Sequence, residues 1–168
     1  LWVACGLEMI VNMATYAVKA FLPLNILVTE QSDHALVLSG LFFSVQEAVH
    51  MLTRTPGGMA ADYFGRLMVI SAGVLVMAAG LLALPYLQGD LVICSAVVLG
   101  AAQGLIFPAI VAFIADQSDY DMGTGMGLYG ATRNLGKVLG PVIAGFILTF
   151  GNFDDMLVST GILLLAVS

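Results

Sequence analysis

Long uninterrupted apolar runs dominate this chain, and they restrict its fold more than any other feature. Hydrophobic residues make up 60% of the 168 residues and charged residues only 10%, whereas soluble domains are less than half apolar and about a quarter charged. Apolar runs of about 18 or more residues are typical of membrane helices. Because the runs are continuous rather than alternating, they favour helices over the strands of a barrel. The sequence therefore predicts an all-α membrane protein.

Turn signals divide the sequence into six predicted transmembrane helices. The expected spans are about residues 1–29, 35–61, 67–87, 91–115, 122–150 and 153–168. The chain begins and ends inside apolar runs, and the last run is too short for a ~30 Å hydrocarbon core. We therefore expect a fragment of a longer protein. Prolines at matching places in FLPLNI (21–26) and IFPAIV (106–111) further suggest two inverted three-helix repeats.

The few charged residues predict the orientation and exclude several functions. Arg66 lies in the connection after the second helix and Arg54 shortly before it, so the positive-inside rule places that connection in the cytoplasm. The net charge is −6 and no basic patch is present, so we expect no nucleic-acid partner. No HExxH sequence, catalytic aspartate pair or Ser-His arrangement is visible. We accordingly expect no enzyme activity, no cofactor and no metal site.

The stretch GMAADYFGRLMVI, residues 58–70, gathers small and charged residues between two apolar runs. Glycine, three residues, aspartate, two residues and then Gly-Arg resembles the loop 2–3 signature of the major facilitator superfamily. Four residues match the pattern: Gly58, Asp62, Gly65 and Arg66. Tyr63 and Leu67 depart from it, because basic residues are usual at those two positions.

Two further stretches are similar to sequences of the same superfamily. LGKVLGPVIAG, residues 135–145, resembles the Gly-Pro motif of the fifth helix in its antiporter branches and includes Gly136, Gly140 and Pro141. AAQGLIFPAIVAFIAD resembles its fourth helix and ends at Asp116. Small residues such as these glycines let membrane helices approach closely, so we expect them to serve helix packing.

The resemblance implies a fold, an activity and partners. Members have twelve helices in two six-helix halves, and this chain would be one half. Gly100 stands where the first half usually carries an arginine, which favours the second half, although a clipped first half remains an alternative. The implied function is secondary active transport of a small solute by alternating access, in the cell's inner (plasma) membrane. The implied partners are the other half, the bilayer and the solute. A non-transporting sensor or scaffold with the same fold is the alternative.

The resemblance also assigns a role to the charged motif. In the family, the matching charges tie the loop to neighbouring helix ends and lock one conformation of the carrier. Asp116, at the end of the fourth helix, would then be the partner of Arg66. The alternative is a solvated loop that anchors the third helix at the membrane surface.

Polar residues form stripes on three helices, at spacings of three or four that place them on one face. The stripes comprise Glu8, Asn12, Thr15 and Lys19 on the first helix, Glu47, His50 and Arg54 on the second, and Tyr129, Arg133 and Lys137 on the fifth. Ionisable groups are costly in a membrane, so each is a candidate for substrate binding or coupling. Together they predict a water-filled cavity. For any single residue, a structural ion pair remains the alternative.

Two hypotheses follow from the stripes. Glu47 and His50 lie one turn apart, and we expect this pair to carry or gate a proton, because histidine can change its charge at physiological pH. The four bases in the stripes exceed the two acids, so we also expect an anionic substrate. Arg133 would hold it through a two-pronged contact, assisted by Lys137 and Tyr129. Glu8 or Glu47 could instead neutralise these bases.

Overall fold

The fold is built from helices alone throughout the part of the chain that the structure describes. The structure is a computed structural model that describes residues 2–30, 33–87, 89–117 and 122–167. The helices are α1 (Trp2–Glu30), α2 (Asp33–Phe64), α3 (Arg66–Ala83), α4 (Val92–Gln117), α5 (Met122–Phe150) and α6 (Phe153–Val167). Short 3₁₀ turns at Leu84–Tyr86 and Gly89–Leu91 follow α3. The all-α prediction is confirmed, while the expected helix ends at residues 1 and 168 lie outside the described residues.

The boundary between α2 and α3 differs from the expected end near residue 61. The helix continues through Pro56 and ends at Phe64, because a proline inside a membrane helix can be accommodated by its surroundings. The break comes at Gly65, whose φ of 95° lies in the left-handed region that favours glycine. Asp62 therefore belongs to the last turn of α2, and Arg66 is the first residue of α3.

Four of the described helices are long and apolar enough to cross a membrane. Their spans are Trp2–Val28, Ala35–Phe64, Arg66–Tyr86 and Val92–Gln117. The other two differ in ways that the sequence explains. α5 has 29 residues but carries Arg133 and Lys137 near its middle, and the described part of α6 has 15 residues.

The helices associate mainly in two pairs, α2 with α4 and α1 with α5. α3 packs on α4 and α6, so it lies away from α1 and α5. If each helix is replaced by the one three places away in chain order, α2 becomes α5 and α4 becomes α1. The first pair is thereby converted into the second. Buried apolar side chains fill the interior, among them Phe42, Met77, Leu81, Leu99, Ile106, Ile110 and Leu164.

Glycines form the contact line of both pairs. A Cβ atom at Gly136 would collide with the backbone oxygen of Met9, and one at Gly100 with that of Gln46. Gly140 faces the backbone of Met13 in the same way. Close approach of two backbones gains van der Waals contact, which is the main source of helix association in lipid. These glycines therefore set the distance between the paired helices.

Replacing Gly136 by alanine should destabilise the protein, because the added methyl group meets backbone rather than a movable side chain. Overpacking of this kind costs about 1–3 kcal/mol. Gly130→Ala is the matched control, since, apart from its chain neighbours and the backbone of its own helix, no described residue has an atom within 4 Å of the position its Cβ would occupy. Thermal unfolding in detergent should show a lower Tm for Gly136→Ala alone. Equal Tm values for both variants would contradict this account of the α1–α5 contact.

Candidate functional site

Two ion pairs join the polar stripes across the bundle. Lys19 Nζ on α1 lies 2.5 Å from Glu47 Oε1 on α2. Arg133 Nε on α5 lies 3.8 Å from Glu8 Oε1 on α1. The structure thus brings the three stripes face to face, and each acid neutralises one base.

Arg133 is held from several sides. Its guanidinium carbon lies 5.6 Å from the ring centre of Phe107 and 6.0 Å from that of Tyr129, within the range of cation–π attraction. Glu8 is fully buried, and Asn12 Nδ2 donates a 2.9 Å hydrogen bond to Glu8 Oε1. This arrangement supports the structural ion pair that the sequence left open. The prediction that Arg133 binds the substrate stays a prediction, and Glu8 is the acid that the structure places beside it.

Glu47 stands between a lysine and a histidine. His50 Nδ1 lies 3.4 Å from Glu47 Oε2, while Lys19 contacts the other oxygen. The His50 ring meets Phe107 edge to face, with ring centres 5.4 Å apart, and its buried Nε2 has no hydrogen-bond partner in the described residues. Arg54 is exposed and does not pair with Glu47. The two oxygens of the Glu47 carboxylate therefore contact different partners, Oε2 meeting His50 and Oε1 meeting Lys19.

The half-exposed position of Glu47 restricts what can face it. Its side chain is 51% exposed and lies near the middle of α2. A charged carboxylate on that surface is far too costly against lipid tails. The open side of the site therefore faces water or other protein.

Tyr16 connects the two lysines of the chain. Lys19 Nζ lies 5.4 Å from the Tyr16 ring centre, and Lys137 Nζ lies 5.5 Å from the same centre. Lys19 and Lys137 are also the only lysines in the sequence. Among the described residues, Lys137 has no carboxylate within ion-pair distance. One aromatic ring thus faces two ammonium groups from different helices.

Three contributors to the site were missed from sequence. Tyr16 has a usable signal, because it lies four residues after Asn12 and three before Lys19 and so belongs to the α1 stripe. Gln103 is the one amide within the apolar run of α4, and its Nε2 donates a 3.2 Å hydrogen bond to Thr15 Oγ1. Phe107 carries no signal, since nothing in the sequence separates it from other apolar residues of α4.

The charged motif lies at one end of the bundle, apart from the polar stripes. Arg66 forms an ion pair with Asp116, as the sequence predicted, and its Nη1 donates a 2.5 Å hydrogen bond to the backbone oxygen of Ala112. Asp62 is exposed and makes no ion pair within the described part of the chain. The motif therefore ties the start of α3 to the end of α4 through Arg66.

The remaining residues of the motifs contribute to backbone geometry. Gly58 faces Pro108 of α4, whose Cβ would lie 3.9 Å from an added Cβ. α5 runs through Pro141 without a break. In the described ranges, no group of three or more His, Cys, Asp or Glu side chains could hold a metal ion.

Comparison with known proteins shows the family of the chain. The sequence profile of the Major Facilitator Superfamily matches residues 5–168, which reach all six described helices. No curated protein sequence matches the chain. The matched range contains the Arg66–Asp116 pair, the polar stripes and the glycine contact lines. The chain is an integral membrane protein and belongs to the Major Facilitator Superfamily, a superfamily of transporters.

Proposed function

We propose that this protein moves a small anionic solute across the membrane by secondary active transport with alternating access. Its family consists of membrane transporters rather than enzymes, which supports transport. The observation that carries the anionic substrate is the charge balance of the polar stripes. Glu8 pairs with Arg133 and Glu47 with Lys19, which leaves Lys137 without a carboxylate within ion-pair distance among the described residues. Arg54 adds a second positive charge, nearer the end of α2.

A second six-helix half closes the open side of the site in this proposal. Glu47 requires water or protein opposite it, and two solute-facing halves are the known design of such carriers. α2 and α5 also expose apolar side chains, which would contact that half in this proposal. They include Leu41, Met51, Leu52, Met59, Leu135, Val138, Val142 and Phe146. Because the resemblance favours the second half, we propose that this chain supplies helices seven to twelve of the intact carrier.

Alternating access in this proposal is supported by the relation between the two helix pairs. The exchange that maps α2–α4 onto α1–α5 is the relation expected of inverted three-helix repeats. In this proposal Glu47 and Lys137 lie near the membrane midplane, and the two six-helix halves rock around the site that contains them. We place the α2–α3 connection, with Arg66, on the cytoplasmic side of the plasma membrane.

Transport assays with the full-length protein in liposomes test the anionic substrate. A panel of small carboxylates and phosphates is compared with the corresponding neutral amides and esters. The protein should move at least one anion faster than its neutral analogue. Lys137→Gln should remove that preference and Lys137→Arg should keep it, because only the latter retains the charge.

Arg133→Gln is the informative control for this prediction. It leaves Glu8 buried without its partner, so it should impair the transport of anions and neutral analogues equally. A selective loss of anion transport in Arg133→Gln would instead identify Arg133 as the residue that binds the anion. A folded protein that moves no solute of the panel would contradict transport and favour a sensor or scaffold.

A further experiment addresses the Arg66–Asp116 pair, which we propose stabilises one conformation of the carrier. Asp116→Asn should slow transport severalfold, because partly exposed ion pairs contribute up to about 1 kcal/mol. The affinity for solute in the matching conformation should stay nearly constant, since the pair lies away from the polar stripes. Asp62→Asn should have a smaller effect, because Asp62 makes no ion pair among the described residues.

The exchanged pair, Arg66→Asp with Asp116→Arg, supplies the control. It restores opposite charges and should recover part of the lost rate. A large drop in solute affinity in Asp116→Asn would show that the pair contributes to binding instead.

A further inference from the structure

We propose that Lys19, Tyr16 and Lys137 form the anion-binding site of this carrier, and that the Glu47 carboxylate competes with the anion for Lys19. A proton on Glu47 would release Lys19 to the anion, so proton and anion would bind together. This inference rests on the proposed function and names the contacts and the regulation of its site.

In the empty site, the positive charges of Lys19 and Lys137 are only partly compensated by their neighbours. Both ammonium groups lie within 5.5 Å of the centre of one tyrosine ring. The negative face of the ring attracts each of them, but it carries no full charge. Lys137 has no acid within ion-pair distance in the described ranges, whereas Lys19 has Glu47. An anion beside Tyr16 would give Lys137 a charged partner and could share Lys19.

Glu47 limits the access of an anion to Lys19. Its Oε1 lies 2.5 Å from Lys19 Nζ, the position that an incoming carboxylate or phosphate oxygen would take. Two negative groups on one ammonium repel each other, and that repulsion is strong where water is scarce. Anion binding is therefore favoured when Glu47 is neutral.

The charge of the site stays constant in this exchange. The empty site holds two ammonium groups and one carboxylate. The loaded site holds two ammonium groups, a protonated Glu47 and one singly charged anion. No net charge is added to the membrane interior, where an uncompensated charge is costly. The binding of one anion is therefore coupled to the binding of one proton.

His50 provides a route for the proton. Its Nδ1 lies 3.4 Å from Glu47 Oε2, and its Nε2 is buried without a hydrogen bond in the described residues. Imidazole can accept and release a proton at physiological pH. The proton would pass between His50 and Glu47 while Lys19 moves from Glu47 to the anion.

Other charged groups around Glu47 have partners or lie further along the helices. α1 contributes Lys19 and α2 contributes His50 and Arg54. α5 contributes Lys137, Tyr129 and Arg133, of which Arg133 is compensated by Glu8. The charged residue of α4 among those described, Asp116, is paired with Arg66 at the end of the bundle. Glu47 is therefore the acid in direct contact with one of the two lysines.

Equilibrium binding to the purified full-length protein tests the proposal without requiring transport. The probes are acetate, benzoate and sulfate, which stay anionic at mildly acidic and mildly alkaline pH, with acetamide and benzamide as neutral controls. At least one anion should bind more tightly at acidic pH, with uptake of a proton measured in weakly buffered solution. Failure of all three anions to bind at either pH would overturn the proposal.

Glu47→Gln is the decisive variant, because glutamine mimics the protonated acid. Its anion affinity at alkaline pH should rise by about tenfold or more, the scale of a hydrogen bond to a charged group. The pH dependence and the proton uptake should disappear. Glu8→Gln, the control at the other acid of the stripes, should keep both. An unchanged pH dependence in Glu47→Gln would overturn the competition between Glu47 and the anion.

Variants of the other two residues test the site itself. Lys137→Gln and Tyr16→Leu should weaken anion binding at both pH values, whereas Tyr16→Phe keeps the ring and should keep the affinity. Equal affinity in Lys137→Gln would exclude Lys137 from the site and overturn the proposal. Proton-linked binding without transport in liposomes would contradict the proposed function and leave this inference intact.

Discussion

Glu8 is fully buried between α1 and α5, and its carboxylate needs a partner that only the neighbouring helix supplies. Removing a charged group from water costs several kcal/mol unless a partner and hydrogen bonds compensate it. Arg133 and Asn12 provide that compensation. The ion pair also sets the register of α5 against α1, because Gly136 and Gly140 then meet the backbone of α1. Lys137, one turn beyond Arg133, is placed opposite the α1 stripe as a result.

The class of the fold follows from the sequence alone, because continuous apolar runs leave few alternatives to membrane helices. The Arg66–Asp116 contact could also be predicted, since the motif resembles one with a known geometry. The end of α2 could not be placed, because proline and glycine at positions 56–58 signal a break as strongly as Gly65 does. Only the three-dimensional path shows that Gly65 adopts the left-handed conformation.

The candidate site was predictable in outline and not in its pairings. Spacing places the charged residues of each helix on one face, and the cost of burying charge turns those faces inward. Which acid meets which base depends on helix register and tilt, which spacing does not encode. Four bases and two acids permit several pairings, and the structure contains Lys19 with Glu47 and Arg133 with Glu8. Tyr16 becomes informative only when α5 brings Lys137 to its ring.

The single residue between α2 and α3 has a mechanical consequence. A long connection would absorb a tilt of α2, but Gly65 alone separates the two helices. The next residue, Arg66, is fastened to the end of α4. Gly57 of α2 touches the backbone of Gly104 earlier along α4. The end of α2 is therefore held against α4 at two levels, directly at Gly57 and through Arg66 at the start of α3. A tilt of α2 about Gly57 would displace the start of α3 as well.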